Sequence, residues 1–199
     1  DATRIRTDGG GRTVQIETDY DEVENRFLGL FKRGNGNRPA TYYTIRMPVT
    51  ADLAIEDFSS EIEVIGLRGD LSLETFSSPV TLRDIEGQIR AETYSSDLEA
   101  RDVAGGIRIE TFSGDATIAL RTLAGDCRFE SFSGDVELIL PADAGFDLDA
   151  ELGMGGDLVS DFSFDGASDE GSTHRGTANG GGPRVHFETF SGDLTLRAR

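Results

Sequence analysis

The 199-residue sequence has little lysine, cysteine or proline and no tryptophan. Its 19 basic residues stand against 37 acidic residues, and Lys32 is the only lysine. The net charge of −18 argues against binding to nucleic acid or to an anionic membrane, because the summed field repels phosphate groups. The single cysteine, Cys127, cannot form an internal disulfide, so packing and backbone pairing must stabilise the fold.

Long apolar runs are also missing. The sequence has no run of about 18 apolar residues, so we expect no transmembrane segment in this chain. The sequence does not begin with a charged segment followed by an apolar segment, the pattern that is typical of a signal peptide. The first residue, Asp1, fits either a processed export precursor or a trimmed chain. A length of 199 residues with a hydrophobic content of 37% is sufficient for one well-cored domain and marginal for two, which predicts a single folded domain over residues 1–199.

A repeat of about 18 residues organises the middle of the chain. An aromatic residue followed by Ser-Ser or Ser-Gly recurs at intervals of 18, 18, 18 and 20 residues, and once more near the C-terminus. A glycine recurs between these positions, so each unit has two turns and two short segments. The six aromatic residues are Phe58, Phe76, Tyr94, Phe112, Phe132 and Phe190.

Apolar and polar residues alternate within each segment, as at Ile107 and Ile109 or at Val136 and Leu138. This is the period of a strand with one buried face, and no window has a helical period. An antiparallel meander would leave its apolar face uncovered, whereas a solenoid buries it between the two strands of each rung. We therefore predict an all-β parallel β-solenoid, or β-helix, with right-handed winding.

The repeat divides the chain into three parts. Residues 1–50 are predicted to form an irregular N-terminal cap and the first strands, with strand-like stretches at Thr13–Thr18 and Thr41–Met47. Residues 51–140 form the regular rungs, and residues 141–199 form irregular rungs.

The last part contains the least regular stretch, from Asp161 to Gly182. Its residues 165–175 have turn chemistry without an apolar rhythm, which predicts a mobile loop. Asn179–Gly182 is predicted to form the tight turn that leads into the last rung.

Three segments accompany the repeated Glu-Thr-Phe-Ser-Gly-Asp: Ile45–Pro48, Leu140–Ala144 and Gly176–Gly182. Together they resemble the bacterial adhesin-like family of β-strand-repeat domains, a domain of unknown function, over roughly residues 40–199. The resemblance implies a stacked β-strand domain in an exported or membrane-tethered bacterial protein, and it carries over no catalytic residues. We therefore expect a periplasmic, cell-surface or extracellular location.

Stacked rungs place equivalent outward residues in rows. One row is acidic, and basic residues stand two positions upstream in four units, at Arg90, Arg108, Arg128 and His186. We interpret this pattern as a compensating surface network. A cation bound along the acidic row is disfavoured, because calcium needs six to eight oxygens that converge on one point. The acidic row is Glu56, Glu74, Glu92, Glu110, Glu130 and Glu188.

The aromatic row admits two interpretations. It is either an exposed platform for sugar rings or a partner protein, or a stack packed into the turns at one edge of the core. Phenylalanine beside small turn residues is more often buried, so the structural interpretation is favoured. Cys127 occupies a position where other units carry Leu or Ile, which predicts a buried, inert thiol.

Catalysis is not expected. Glycosidase carboxylates need separations of about 5–9 Å in unequal environments, whereas these acids stand at equivalent repeat positions. The irregular stretch offers only Asp165, Asp169, Glu170 and His174. No phosphate-binding loop or zinc motif is present, so no cofactor or metal site is predicted.

One segment departs from the acidic character. Residues 26–33 place large apolar side chains beside basic ones, which suits contact with a membrane interface or another chain. The alternative is a cap over the first rung. The candidate interaction residues are Phe27, Leu28, Leu30, Phe31, Lys32 and Arg33.

The sequence thus predicts a non-enzymatic, adhesin-like structural or recognition module of the cell envelope or extracellular space. Its expected partner is an envelope protein or a glycan. Two alternatives stay open. Clustered carboxylates of unequal burial in a groove would favour a β-helix carbohydrate-active enzyme, and an apolar, uncapped terminal rung would favour a scaffold that assembles end to end.

Overall fold

A computed structural model describes residues 3–10, 13–20 and 43–199. The chain forms two compact units, residues 1–44 and residues 45–199. The single domain predicted over the whole chain stays a prediction, because compactness does not show whether either unit folds alone.

The described residues of the first unit form a β-hairpin. Strand β1 (Thr3–Gly10) pairs antiparallel with β2 (Thr13–Tyr20) in a two-stranded sheet of their own. The strand predicted at Thr13–Thr18 is confirmed. Its described pairing is antiparallel and lies within this hairpin, and the N-terminal cap predicted over residues 1–50 stays a prediction.

The strand predicted at Thr41–Met47 is wrong over its described part. Residues 43–48 form no strand, and Tyr43 and Ile45 are exposed. Their apolar alternation therefore faces solvent instead of a core. Met47 is the residue of this stretch that packs against the core of the second unit.

The second unit is all β over its described residues. No helix in the described part of the chain is long and apolar enough to cross a membrane. The strands are β3 (Leu53–Asp57), β4 (Ile62–Ile65), β5 (Leu71–Thr75), β6 (Val80–Arg83), β7 (Ile89–Ser95), β8 (Leu98–Ala104), β9 (Ile107–Ser113), β10 (Ala116–Thr122), β11 (Cys127–Ser133), β12 (Val136–Leu140), β13 (Phe146–Leu152), β14 (Leu158–Ser160), β15 (Asp165–Glu170), β16 (Thr173–Ala178), β17 (Arg184–Ser191) and β18 (Leu194–Ala198).

These strands form two open sheets that share one core. The nine-stranded sheet has the order β15-β16-β13-β17-β11-β9-β7-β5-β3, and the seven-stranded sheet has the order β14-β18-β12-β10-β8-β6-β4. Successive strands alternate between the sheets through the regular rungs, and their pairing is parallel. The predicted parallel β-solenoid is therefore confirmed, and right-handed winding stays a prediction.

The alternation read from the sequence builds the core. In β9, Ile107 and Ile109 are buried, whereas Arg108 and Glu110 point outward. Ile107 pairs in register with Ile89 on one side and with Cys127 on the other. Equivalent apolar side chains therefore stack along the solenoid. Burial of each large side chain stabilises the fold by about 1.5–3 kcal/mol.

Aspartates link neighbouring rungs at the turns. The backbone N–H of Asp193 donates to the carboxylate of Asp135 at 2.9 Å, and the N–H of Asp135 donates to the carboxylate of Asp115 at 2.9 Å. Each turn thereby satisfies a backbone donor of the next one, which fixes the register of the stack.

Glycine is required where the same turns approach most closely. Gly134 has φ +150°, and a Cβ there would collide with the backbone carbonyl oxygen of Gly114. Three earlier rungs carry serine instead, and the N–H of Ser78 donates to the Oγ of Ser96 at 2.9 Å. The Ser-Ser units therefore link neighbouring turns by a serine hydrogen bond, whereas the Ser-Gly units bring the backbones of neighbouring turns close together.

The last rung does not lie at the end of the stack. Strand β17 is inserted between β11 and β13, and β18 is inserted between β12 and β14. The C-terminal residues therefore pair with an earlier rung on each side. Repeat spacing alone gives no indication of this order.

The mobile loop predicted at 165–175 is wrong. Strands β15 and β16 form an antiparallel hairpin that pairs with β13 at the end of the nine-stranded sheet. Phe164 lies against Gly176, and its ring is perpendicular to that of Phe146 at a centroid distance of 5.9 Å. Apolar anchoring outside the polar tract therefore orders the segment. The turn predicted at Asn179–Gly182 is confirmed by a hydrogen bond from the N–H of Gly181 to Ala178 O.

Candidate functional site

The outer face of the nine-stranded sheet carries three parallel rows of side chains. Along strand β9, Arg108, Glu110 and Phe112 point outward in turn. In-register pairing repeats these positions on neighbouring strands. We call them the arginine row, the glutamate row and the aromatic row. The aromatic row consists of Phe58, Phe76, Tyr94, Phe112, Phe132 and Phe190.

The rings of the aromatic row form one continuous stack. Successive centroids are 4.7–4.9 Å apart, and successive ring planes differ by only 1–5°. The centroid spacing follows the separation of neighbouring strands in a sheet. Such aromatic pairs contribute about 0.5–1.5 kcal/mol each beyond their buried area.

The favoured expectation that the aromatic residues are packed into the turns is wrong. Their exposed fractions range from 43% for Phe76 to 71% for Phe58. The reason is strand parity: Ile109 faces the core, so Glu110 and Phe112 both face solvent. The rings contact one another and leave their outer sides accessible.

This stacking decides which parts of the rings a ligand can contact. The faces of an interior ring such as Phe112 are covered by Tyr94 and Phe132. Only ring edges are presented along the row, and these edges carry partial positive charge. A sugar that stacks on a ring face therefore finds no platform along the middle of the row.

Arginine and glutamate side chains form the predicted compensating network. Arg90 contacts Glu92 at 2.6 Å, and Arg108 contacts Glu110 at 2.7 Å and reaches Glu130 on the next rung at 3.3 Å. The hydrogen bond from Arg90 to Glu92 raises the pKa of Arg90 above its ordinary value. Because these pairs are exposed to solvent, they mainly relieve repulsion between stacked carboxylates.

The compensation is missing at the N-terminal end of the sheet. Ala54 and Ser72 occupy the positions where later rungs carry arginine. Glu56 and Glu74 accordingly have no ion pair among the described residues, and both are exposed. Asp57 adds a third carboxylate, which accepts hydrogen bonds from the hydroxyls of Ser60 and Ser78. This end of the site is therefore the most negatively charged.

Between the glutamate and aromatic rows lies a row of hydroxyl side chains that the sequence interpretation overlooked. The Oγ1 of Thr93 donates to the Oγ1 of Thr111 at 2.9 Å. The hydroxyls of Thr75, Ser131 and Thr189 are buried and have no hydrogen-bond partner among the described residues. The repeated Glu-Thr-Phe sequence was the available signal, since a polar residue recurs there at an inward position.

These rows line one shallow groove of about 1000 Å³ that crosses six strands. Glutamates form one wall, aromatic rings form the other, and the hydroxyl row lies between them. The groove therefore has one charged wall and one aromatic wall. It therefore brings together two rows that the sequence predicted and one that it did not.

The other candidates stand apart from this groove. Phe27, Leu28, Leu30, Phe31, Lys32 and Arg33 lie outside the described residues, so that interaction segment stays a prediction. Cys127 is buried, as predicted, and burial raises the pKa of its thiol to about 12. No group of three His, Cys, Asp or Glu side chains in residues 43–199 is arranged to hold a metal ion.

The opposite, seven-stranded sheet has the predicted alternation of glutamate and threonine. Glu63 pairs with Thr81, Thr81 with Glu99, and Glu99 with Thr117. Its carboxylates are therefore two rungs apart and have no aromatic neighbour row. The asymmetry between the two sheets singles out the nine-stranded sheet as the candidate binding face.

The sequence model described as Toastrack DUF4097 matches residues 50–197, which includes both sheets and the whole groove. No curated protein and no solved structure matches the chain.

Proposed function

The chain belongs to the Toastrack DUF4097 family, and from this premise we propose that it is a non-enzymatic, adhesin-like recognition module of the cell envelope or extracellular space. The observation that carries the proposal is the aromatic row, six rings that remain about half exposed along one face. Contiguous exposed apolar surface on a folded protein is typical of an interaction site.

The position of the rings supports binding over a purely structural role. A solenoid is stabilised by its buried aliphatic ladder, and the fully buried Phe129, Phe146 and Phe187 show that this fold also accommodates phenylalanine inside. Six rings are nevertheless presented outward beside a line of carboxylates. A partner that covers these rings removes from water the apolar surface that stays exposed after folding, which favours binding.

The repeated environment of the carboxylates supports a non-enzymatic role. Glu92, Glu110 and Glu130 each have the same neighbours, an arginine upstream and an aromatic ring downstream. Acid–base chemistry on a glycosidic bond needs two carboxyl groups in unequal environments. The glutamate row is organised for binding along a line.

An exported location and a partner in the envelope, either a protein or a glycan, complete the proposal. They are supported by the resemblance of the repeats to adhesin-like β-strand domains. Fractionation of cells that express the natural gene product with a C-terminal epitope tag tests the location. Recovery in the envelope or the medium is expected, and recovery in the cytoplasm alone would contradict this part of the proposal.

Binding is tested on immobilised glycans, surface polymers and purified envelope proteins. The row variant combines Phe76→Leu with Phe112→Leu, which keeps apolar bulk but removes two rings. The control combines Ile65→Ser with Val159→Ser, two exposed apolar residues of the opposite sheet. Loss of binding is expected in the row variant alone.

Product analysis on the same polymers separates binding from catalysis. We expect bound polymer to be recovered at full length. Release of shortened chains by the wild type would instead favour the carbohydrate-active enzyme. A third variant lacking residues 26–33 tests the separate interaction segment, and unchanged binding would remove that segment from the proposal.

A further inference from the structure

The groove has a charge pattern that distinguishes among partners. Six glutamates form one wall, and the three arginines that neutralise their neighbours lie on the far side of that wall from the rings. At one end, Glu56 and Glu74 have no ion pair among the described residues. A ligand that lies between the two walls therefore meets carboxylates on one side, which favours a cationic chain.

The aromatic wall adds a second constraint. Because both faces of each interior ring are covered by neighbouring rings, a ligand along the row contacts ring edges. Edges are apolar and carry partial positive charge, so they suit the aliphatic stems of lysine or arginine, pyrrolidine rings and backbone carbonyl oxygens. They do not suit cations placed over a ring face.

The hydroxyl row supplies an independent indication of a ligand. Thr75 and Thr189 are 7% and 5% exposed, line the groove, and have hydroxyls without a hydrogen-bond partner among the described residues. Buried hydroxyl groups are normally satisfied. These hydroxyl oxygens are shielded from solvent, so carbonyl oxygens of a chain lying in the groove accept from them once the threonine side chains rotate toward the groove.

The rung spacing sets the periodicity of the ligand. Two rungs advance about 9.6 Å along the solenoid at a strand spacing of about 4.8 Å. One turn of a polyproline II helix advances about 9.3 Å, since it has three residues of about 3.1 Å each. Side chains at every third residue of such a helix therefore meet every second glutamate.

On these grounds, which rest on the proposed recognition function, we propose that the groove binds an extended basic segment of a partner protein. The segment lies in polyproline II conformation along the solenoid axis, with lysine or arginine at every third residue facing the glutamate row. Its intervening residues contact the ring edges. Grooves lined by aromatic residues are an established way to bind preformed polyproline II segments at low entropic cost.

Fluorescence anisotropy with the full chain and a labelled nine-residue peptide, three repeats of Lys-Pro-Pro, tests the proposal. One comparison peptide has the same composition with its three lysines contiguous, and another has glutamate in place of lysine. We expect the periodic peptide to bind at least about tenfold more tightly than the contiguous one and the acidic peptide not to bind. Equal affinity for the two basic peptides would overturn the periodicity.

Two double variants locate the binding. A periodic peptide can contact either of two sets of glutamates, each made of every second residue of the row. Glu56→Gln with Glu74→Gln removes one carboxylate from each set, so binding is weakened in either register. Glu61→Gln with Glu63→Gln removes the same charge from two exposed residues at the same end of the opposite sheet, one directly before strand β4 and one within it. We expect about a tenfold loss in the first variant and less than a twofold change in the second. Equal losses would mean attraction to net charge and would overturn the site.

A glucosamine hexamer provides the remaining comparison. If it binds in an aromatic-row-dependent manner and the periodic peptide does not, the peptide partner is excluded while the recognition function stands. If neither binds and the row variant behaves as the wild type on all immobilised ligands, the recognition function fails as well. Circular-dichroism melting of each variant confirms that the glutamine substitutions leave the fold unchanged.

Discussion

The ring of Phe190 stacks on that of Phe132, with centroids 4.9 Å apart and planes inclined by 5°. The two residues are 58 positions apart, because the chain builds the rung containing Phe146 before it returns. Insertion of β17 between β11 and β13 places the sixth ring directly on the fifth. The aromatic row is thus continuous in space although its last member is distant in sequence.

This insertion predicts that removal of residues 183–199 abolishes the cooperative fold. Four side chains of the last rung, Val185, Phe187, Leu194 and Leu196, are fully buried. At about 1.5–3 kcal/mol each, their loss approaches the whole stability of a typical domain. Thermal unfolding followed by circular dichroism should show no cooperative transition.

A peptide of residues 183–199 added in trans should restore the transition, since both neighbouring strands of each sheet are present in the truncated chain. The same peptide with Phe187→Asp should not. A truncated chain that melts like the wild type would show that the inserted pairing contributes little.

Aromatic substitutions should have a position-dependent cost. Phe112→Ala removes two stacking contacts, whereas Phe58→Ala removes one from the end of the row. We expect losses in unfolding free energy of about 1–3 and about 0.5–1.5 kcal/mol respectively, measured by urea denaturation. Equal losses would indicate that the rings are stabilised by the underlying strand and not by each other.

The turn glycines predict a steric cost beyond ordinary backbone strain. Gly134→Ala introduces a Cβ against the carbonyl oxygen of Gly114 at φ +150°, and we expect a loss of about 3 kcal/mol or more. Gly155→Ala is the control, because its φ is +76° but nothing lies within 4 Å of the added Cβ. There the cost should be about 1–2 kcal/mol. Similar urea midpoints for the two variants would argue against the close approach.

The buried thiol of Cys127 should make the free energy of unfolding depend on pH in the alkaline range. Burial raises the pKa of its thiol from 9.0 to about 12, so between these values the unfolded chain releases a proton that the folded chain keeps. The stabilisation is complete below pH 9 and is lost as the pH rises toward 12, by at most about 1.4 kcal/mol per pH unit.

The variant Cys127→Val provides the comparison, because valine occupies the paired position at Val185. Urea denaturation at pH 8 and pH 10.5 should show a larger decrease for the wild type than for the variant. The native thiol should also react slowly with iodoacetamide at neutral pH. Rapid alkylation without unfolding would show that the side chain is accessible.

Local signals predicted the rungs well. The alternation at Ile107 and Ile109 and the repeated turn residues fixed the inward positions, the parallel register and the pairing of Arg108 with Glu110. These features depend on neighbours within about 20 residues, and the repeat itself identifies their partners. The order of the last rung could not be predicted, because every rung presents an equivalent edge to its neighbours.

Strand parity alone predicts that the aromatic row is exposed, but the general preference of phenylalanine for the interior favours the opposite. Phe112 has the same strand parity as Glu110, which marks it as outward, but average burial favours phenylalanine inside. The hairpin from β15 to β16 was missed for a different reason. Its polar tract resembles a loop, and the ordering contact between Phe164 and Gly176 lies outside that tract.

The position of the last rung also matters while the protein is being made. Synthesis runs from the N-terminus, so strands β13 and β14 leave the ribosome before β17 and β18, which join them to the rest of the stack. Until then the nascent chain exposes two unfilled sheet edges to the surrounding chains. The stack is therefore completed only after residues 183–199 have been synthesised, and a polypeptide terminated before them leaves unpaired strand edges that chaperones and proteases recognise.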